Sequence, residues 1–97
     1  MNPRINSIVI DYRPEPSEKL EADVLAAFQD GAGRVILSLD TIDSLDTDGV
    51  RQLITLLRRA RTAGGELALR ANKPHVRRTL SVTALDRIFT MVEEAAA

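Results

Sequence analysis

Cysteine is missing from this sequence altogether. Its absence excludes disulfides, thiolate metal sites and a cysteine nucleophile, and fits a reducing compartment. Aromatic residues are almost as scarce: Phe28, Phe89 and Tyr12 are the whole set. The core must therefore be aliphatic. No one sign of charge dominates, because 13 Lys and Arg stand against 14 Asp and Glu. Nothing in that balance points to nucleic acid as a partner. No apolar run approaches the roughly 20 residues that span a bilayer. The opening MNPRINS has no apolar signal core after its Arg. These absences imply a soluble chain without membrane insertion, expected in the cytoplasm. Its 97 residues make one small domain, expected to run from 1 to 97.

Catalytic equipment is equally thin. The sole histidine is His75, just after Pro74 at a helix start, and it has no acidic neighbour in sequence. That setting suits a surface residue better than a base. Neither GxxxxGK[ST] nor GxGxxG occurs, so no phosphate-cradling loop is present. The chain is read as non-enzymatic, with no catalytic residue, no metal and no cofactor.

What is present is an alternation of strands and helices. Ile5–Tyr12 contains the β-branched run Ile8, Val9, Ile10 and reads as a strand stopped by Pro14-Glu15-Pro16. Ser17 is a candidate cap for a helix whose Leu20, Val24, Ala27 and Phe28 share one face. Gly31-Ala32-Gly33 ends it. Val35–Leu39 is apolar on both faces, as a buried interior strand should be. Val50, Leu53, Ile54 and Leu57, widened by Leu56, then give a long amphipathic helix. Its last turns carry Arg58, Arg59 and Arg61 before Gly64-Gly65. Glu66–Ala71 reads as a third strand. Pro74 sits near the start of a helix over His75–Val82 that buries Val76 and Leu80. Leu85, Ile88, Phe89 and Val92 form a closing apolar segment with a short strand, and the terminal EEAAA reads as a frayed helical turn. The order β-α-β-α-β-α-β predicts an α/β fold, with a mostly parallel or mixed sheet of about four strands and three to four helices.

Between the second strand and the long helix lies DTIDSLDTDG, Asp40–Gly49. Asp40, Asp43, Asp46 and Asp48 fall within nine positions there. A helix N-terminus has unpaired N–H groups and favours anions. Asp46, Thr47 and Asp48 are each able to cap the helix, and Asp43 suits the preceding turn. A cation loop fits poorly. Aligned to an EF-hand, Asp46, Asp48 and Gly49 take positions three, five and six, but Ser44 falls at the first and Thr55 at the twelfth, where a bidentate Glu is needed. A phosphate-accepting receiver domain needs an acidic pair after its first strand, and Asp11 stands alone.

The segment from Val35 to Phe89 resembles the STAS domain, a module shared by bacterial anti-sigma factor antagonists and the cytoplasmic tails of sulfate transporters. The matching residues are Leu39-Asp40, Asp46-Thr47-Asp48-Gly49-Val50, Gly64-Gly65, Val76-Arg77-Arg78 and Leu85-Asp86-Arg87-Ile88-Phe89. The resemblance implies a regulatory module of partner switching and transcription control. It implies docking on an ATP-binding anti-sigma kinase of the GHKL type through Asp43, Asp46, Thr47, Asp48, Gly49, Val50 and Arg51. It also implies that Asp48 occupies the position of the phosphorylated serine or threonine, with Thr47 the hydroxyl left for modification. The N-terminal strand and C-terminal helix look trimmed relative to the family, and Thr83-Ala84-Leu85 replaces its usual small-Gly-Leu. A second expectation is an accessory subunit docking on the ATPase of an ABC lipid transporter. A third is weak homodimerisation through an exposed sheet edge.

Overall fold

Four five-residue-or-shorter strands line up in the order of the chain. A computed structural model describes residues 6–92. Strand β1 is Ser7–Asp11, β2 is Arg34–Ser38, β3 is Glu66–Arg70 and β4 is Thr90–Met91. The sheet order is β1-β2-β3-β4, and every pair is parallel. Register places Val9 beside Ile36, Ile36 beside Ala68, and Ala68 beside Thr90. The helices are α1 (Ser17–Gln29), α2 (Thr47–Thr62), α3 (Pro74–Val82) and the single turn α4 (Leu85–Ile88).

Parallel neighbours need crossover connections, and these are right-handed almost without exception. With the strands in monotonic order, that puts the helices on one face. The packing agrees. Val35 and Leu37 of β2, and Leu67 and Leu69 of β3, share one buried cluster with Leu20 and Val24 of α1, Leu53 and Leu56 of α2, and Val76 and Leu80 of α3. The alternate residues Val9, Ile36 and Ala68 point the other way and stand outside that cluster; Ile36 and Ala68 are nonetheless buried, whereas Val9 is exposed. Each fully buried leucine in this aliphatic core contributes about 1.5–3 kcal/mol.

Several expectations need adjusting. Ser17 does not cap α1. It is the helix's first residue, and Pro16 holds the cap position without a side-chain bond. The Pro16 carbonyl instead accepts from Lys19 N and Leu20 N. The closing segment holds an extra helical turn, α4, before β4. Leu85 and Phe89 are buried there, whereas Ile88 is exposed. Ile5 and the terminal EEAAA lie outside the described residues.

Turns from α1 and α2 close with left-handed glycines, Gly31 (φ 105) and Gly64 (φ 80). Ala84 adopts the same region at φ 62, although its Cβ makes that conformation unfavourable. It occupies the place where the family resemblance expects glycine. Replacing Ala84 with Gly is expected to raise stability by about 1 kcal/mol, read as a melting-temperature increase of roughly 4–8 °C. An unchanged melting point would show that the backbone relaxes at that turn.

Candidate functional site

Helix α2 begins where the chain leaves the C-terminal end of β2, so its N-terminus stands at the rim of the sheet. Asp46 decides where it starts. Asp46 has extended backbone and is the N-cap, and its Oδ1 accepts from Gly49 N at 2.8 Å. Its carbonyl accepts from Val50 N at 2.9 Å. Of the three candidate caps, the side-chain bond therefore belongs to Asp46. Thr47 is the first helical residue and Asp48 the second, and both are exposed. Asp48 makes no hydrogen bond or ion pair among the described residues. Its carboxylate adds charge at the positive end of the helix dipole but does not serve as the cap.

The floor beneath this tip comes from β1. Tyr12, the residue after β1, is 1% exposed. Its hydroxyl donates to Gln52 Oε1 at 2.7 Å, which ties the strand end to the second turn of α2. Its carbonyl accepts from Thr41 Oγ1 at 2.6 Å. Burial raises the Tyr12 pKa because it penalises the phenolate, and the nearby Asp46 carboxylate adds repulsion in the same direction.

Gly49 is buried at this junction. A Cβ there would come within 2.7 Å of Leu45 Cδ1 and 3.2 Å of the Tyr12 hydroxyl. A side chain at the third helical position would therefore require Leu45 to shift. Val50 is half-buried against the core, and Arg51 is exposed.

The other two aspartates brace the loop. Asp40 accepts from Asn72 N and Asn72 Nδ2, each at 2.9 Å, and lies 3.9 Å from Arg70 Nε. Asp43 is paired with Lys73 Nζ at 2.9 Å. That hydrogen bond and the ammonium charge hold the Asp43 carboxyl below its ordinary pKa. The Asp43 side chain is almost wholly exposed, so the pair contributes little to stability. The four carboxylates therefore divide: Asp40 and Asp43 join this loop to the turn before α3, Asp46 caps, and Asp48 faces outward.

A groove of about 460 Å³ runs beside the tip, between α2, α1 and the loop that joins β1 to α1. Tyr12, Glu21, Asp46, Asp48, Arg51 and Gln52 are among its walls. Across the helices Arg59 Nε reaches Glu21 Oε1 at 3.2 Å. Sequence reasoning missed Tyr12 and Gln52. A lone aromatic at a strand end and a Gln on a helix carry no motif, although the scarcity of aromatics is itself a signal. Among the described residues no three His, Cys, Asp or Glu side chains converge as a metal site requires. No helix there is long and apolar enough to cross a membrane.

The STAS domain model matches residues 15–96. The chain belongs to the STAS domain family. It is 35% identical over 83 residues to BtrV of Bordetella bronchiseptica, a protein assigned as an anti-sigma factor antagonist, and covers 84% of this chain and 72% of that one. It is 33% identical over 63 residues to a Thermotoga neapolitana protein of the same assignment, the homolog of TM1081, with 65% of this chain and 56% of that one covered. Among solved folds, the NMR structure of TM1081 superposes with a TM-score of 0.73 at 24% identity, covering 90% of this chain and 74% of that one. The anti-sigma factor antagonist SpoIIAA, in its unphosphorylated form, gives 0.69 at 20% identity, covering 95% and 83%. At those identities the likeness concerns the fold, and this STAS domain shares its single α/β layer pair with them.

Two measurements check the junction. Tyr12 is the only tyrosine and there is no tryptophan, so ultraviolet absorbance follows one phenol. Because its folded pKa is raised, the neutral form stabilises the fold fully below the ordinary value of about 10, and that contribution is lost as pH rises past it. Ionisation is expected later than in free tyrosine and together with unfolding, with Asp46→Asn moving the midpoint partway down. An ordinary midpoint in the intact fold would contradict the burial. Gly49→Ala is expected to cost about 1–3 kcal/mol in denaturant melts, and a neutral result would mean that Leu45 yields freely.

Proposed function

We propose that this STAS domain is a non-enzymatic, anti-sigma factor antagonist-like docking module of the cytoplasm. Its partner in this reading is an ATP-binding anti-sigma kinase of the GHKL type. The contact surface is the loop and first turn Asp46, Thr47, Asp48 and Gly49, flanked by Val50 and Arg51, with Asp43 at its margin. The observation that carries the proposal is the exposed, unbonded Asp48 carboxylate in the first turn of a helix that Asp46 already caps. The assignments of its relatives as anti-sigma factor antagonists support this reading over an ABC transporter subunit.

By the family resemblance, Asp48 stands at the phosphoacceptor position. A phosphoserine would bring about −1.5 to −2 charge to a helix N-terminus. An aspartate supplies about −1 there in every condition near neutral pH. The partner then meets a permanently anionic tip rather than a switchable one. Docking sequesters the kinase and frees its sigma factor. Control passes to partner concentration, or to phosphorylation of Thr47, the exposed hydroxyl beside Asp48.

Because Asp48 has no hydrogen bond or ion pair among the described residues, changing it tests docking with little disturbance of the fold. Asp48→Asn and Asp48→Ser are each expected to weaken binding to the kinase about tenfold, about 1.4 kcal/mol by calorimetry. Equal affinity in all three proteins would remove charge from the mechanism. On incubation with kinase and ATP, mass spectrometry is expected to find any transferred phosphate on Thr47 and none on Asp48.

A further inference from the structure

Strand β1 closes one end of the sheet, and among the described residues no strand lies beyond it. Its pairing shows which backbone groups are left over. Tyr12 N donates to Ser38 O, and Asn6 O accepts from Arg34 N, so the even-numbered residues face β2. Backbone direction alternates along a strand. The N–H and C=O groups of Ser7, Val9 and Asp11 therefore point outward to the open edge. All three residues are exposed, and Val9 is 48% exposed although it is one of the large apolar side chains. Edge strands are ordinarily blunted by Pro, Lys, a bulge or shortness. SIVID has no Pro or Lys, and its register with β2 is unbroken. The opposite edge, β4, is only two residues long.

We infer that the edge of β1 is a pairing surface for β1 of a second copy of this chain, antiparallel about Val9. The sequence of the strand selects this occupant and this direction. Read antiparallel, Val9 lies opposite Val9 of the second copy, Ile8 opposite its Ile10, and Ser7 opposite its Asp11. Each Ser7 hydroxyl then faces a carboxylate that can accept from it. A parallel, in-register pairing would set Asp11 against Asp11, two like charges directly opposed, which is unfavourable. Antiparallel pairing about Val9 also places all three outward residues in hydrogen-bonded pairs, about six bonds in total. A two-fold axis through Val9 closes the assembly at two copies. The row Ala68, Ile36, Val9, in which Ala68 and Ile36 are already buried and Val9 is exposed, continues across the axis on the face opposite the helical cluster. On the other face the half-buried Ile8 and Ile10 of the two copies meet. Because the paired strands run in opposite directions, the two α2 tips point away from each other, and both stay open.

Sedimentation equilibrium of the full chain is expected to show a concentration-dependent monomer–dimer equilibrium. Val9→Lys, an exposed change, is expected to weaken dimerisation at least about tenfold while leaving unchanged the melting temperature measured at dilutions where both chains are monomeric. The lack of native cysteine makes the register testable with single thiols. In the Val9→Cys variant, paired Cα atoms about 5.5 Å apart suit a disulfide, so mild oxidation yields a covalent dimer. In Ser7→Cys and Asp11→Cys the equivalent thiols sit four positions apart, roughly 14 Å along the strand, and stay reduced. A monomer at every concentration, an undiminished Val9→Lys dimer, or equal cross-linking at all three positions would each overturn the inference.

Discussion

One hydrogen bond organises the working end of this molecule: the Tyr12 hydroxyl donating to Gln52 Oε1. It fastens the end of the first strand to the second turn of the long helix, forty residues further on. Around it the chain closes tightly. Leu45 fills the space beside Gly49, the Thr41 hydroxyl holds the Tyr12 carbonyl, and Asp46 turns its carboxylate back onto the helix. A part-buried polar pair of this kind supports the junction when made and is costly when one partner is removed, because the group left behind keeps a desolvation penalty. The outward carboxylate of Asp48 rests on that support. Its position owes nothing to bonds of its own.

Much of the architecture could be read from residue patterns. Leu53, Leu56 and Leu57 recur at helical spacing and are buried, and Val35–Leu39 is apolar on both faces and lies inside the sheet. A mostly parallel sheet followed from the alternation of elements and the handedness of crossovers, whereas the strand order β1-β2-β3-β4 came only with the structure. The loop before α2 was less legible. Local sequence allowed three caps, and only the bond from Gly49 N to the Asp46 carboxylate singles out Asp46. Ser17 looked like a cap because its residue type favours that role, but Pro16 fixes the entry and leaves the serine inside the helix. The turn of α4 was hidden because Leu85 and Phe89, four apart, fit a short helix as well as a strand edge. Tyr12 was invisible as a functional element for another reason. Its meaning depends on a partner far away in sequence, and no periodicity encodes such a pair.

Division of labour among the acidic residues also had to wait for three dimensions. In sequence Asp40, Asp43, Asp46 and Asp48 form one cluster. In space two of them reach across to the β3–α3 turn, where Asn72 and Lys73 receive them. The loop that presents the tip is thus anchored to a second crossover as well as to its own helix. That arrangement pairs two of the four like charges with the neighbouring turn and leaves Asp46 and Asp48 at the tip, of which Asp48 alone has no bond among the described residues.

The monotonic strand order has its own mechanical result. Among the described residues no segment returns from the last strand to the first, and the two flanks of the sheet are joined through its middle. The β4 flank is the weaker one, with a two-residue strand and a single-turn helix beside it. Amide exchange should therefore begin at that flank and travel inward. The unit of Tyr12, β2 and α2 would open last, keeping the docking end intact while the far side breathes.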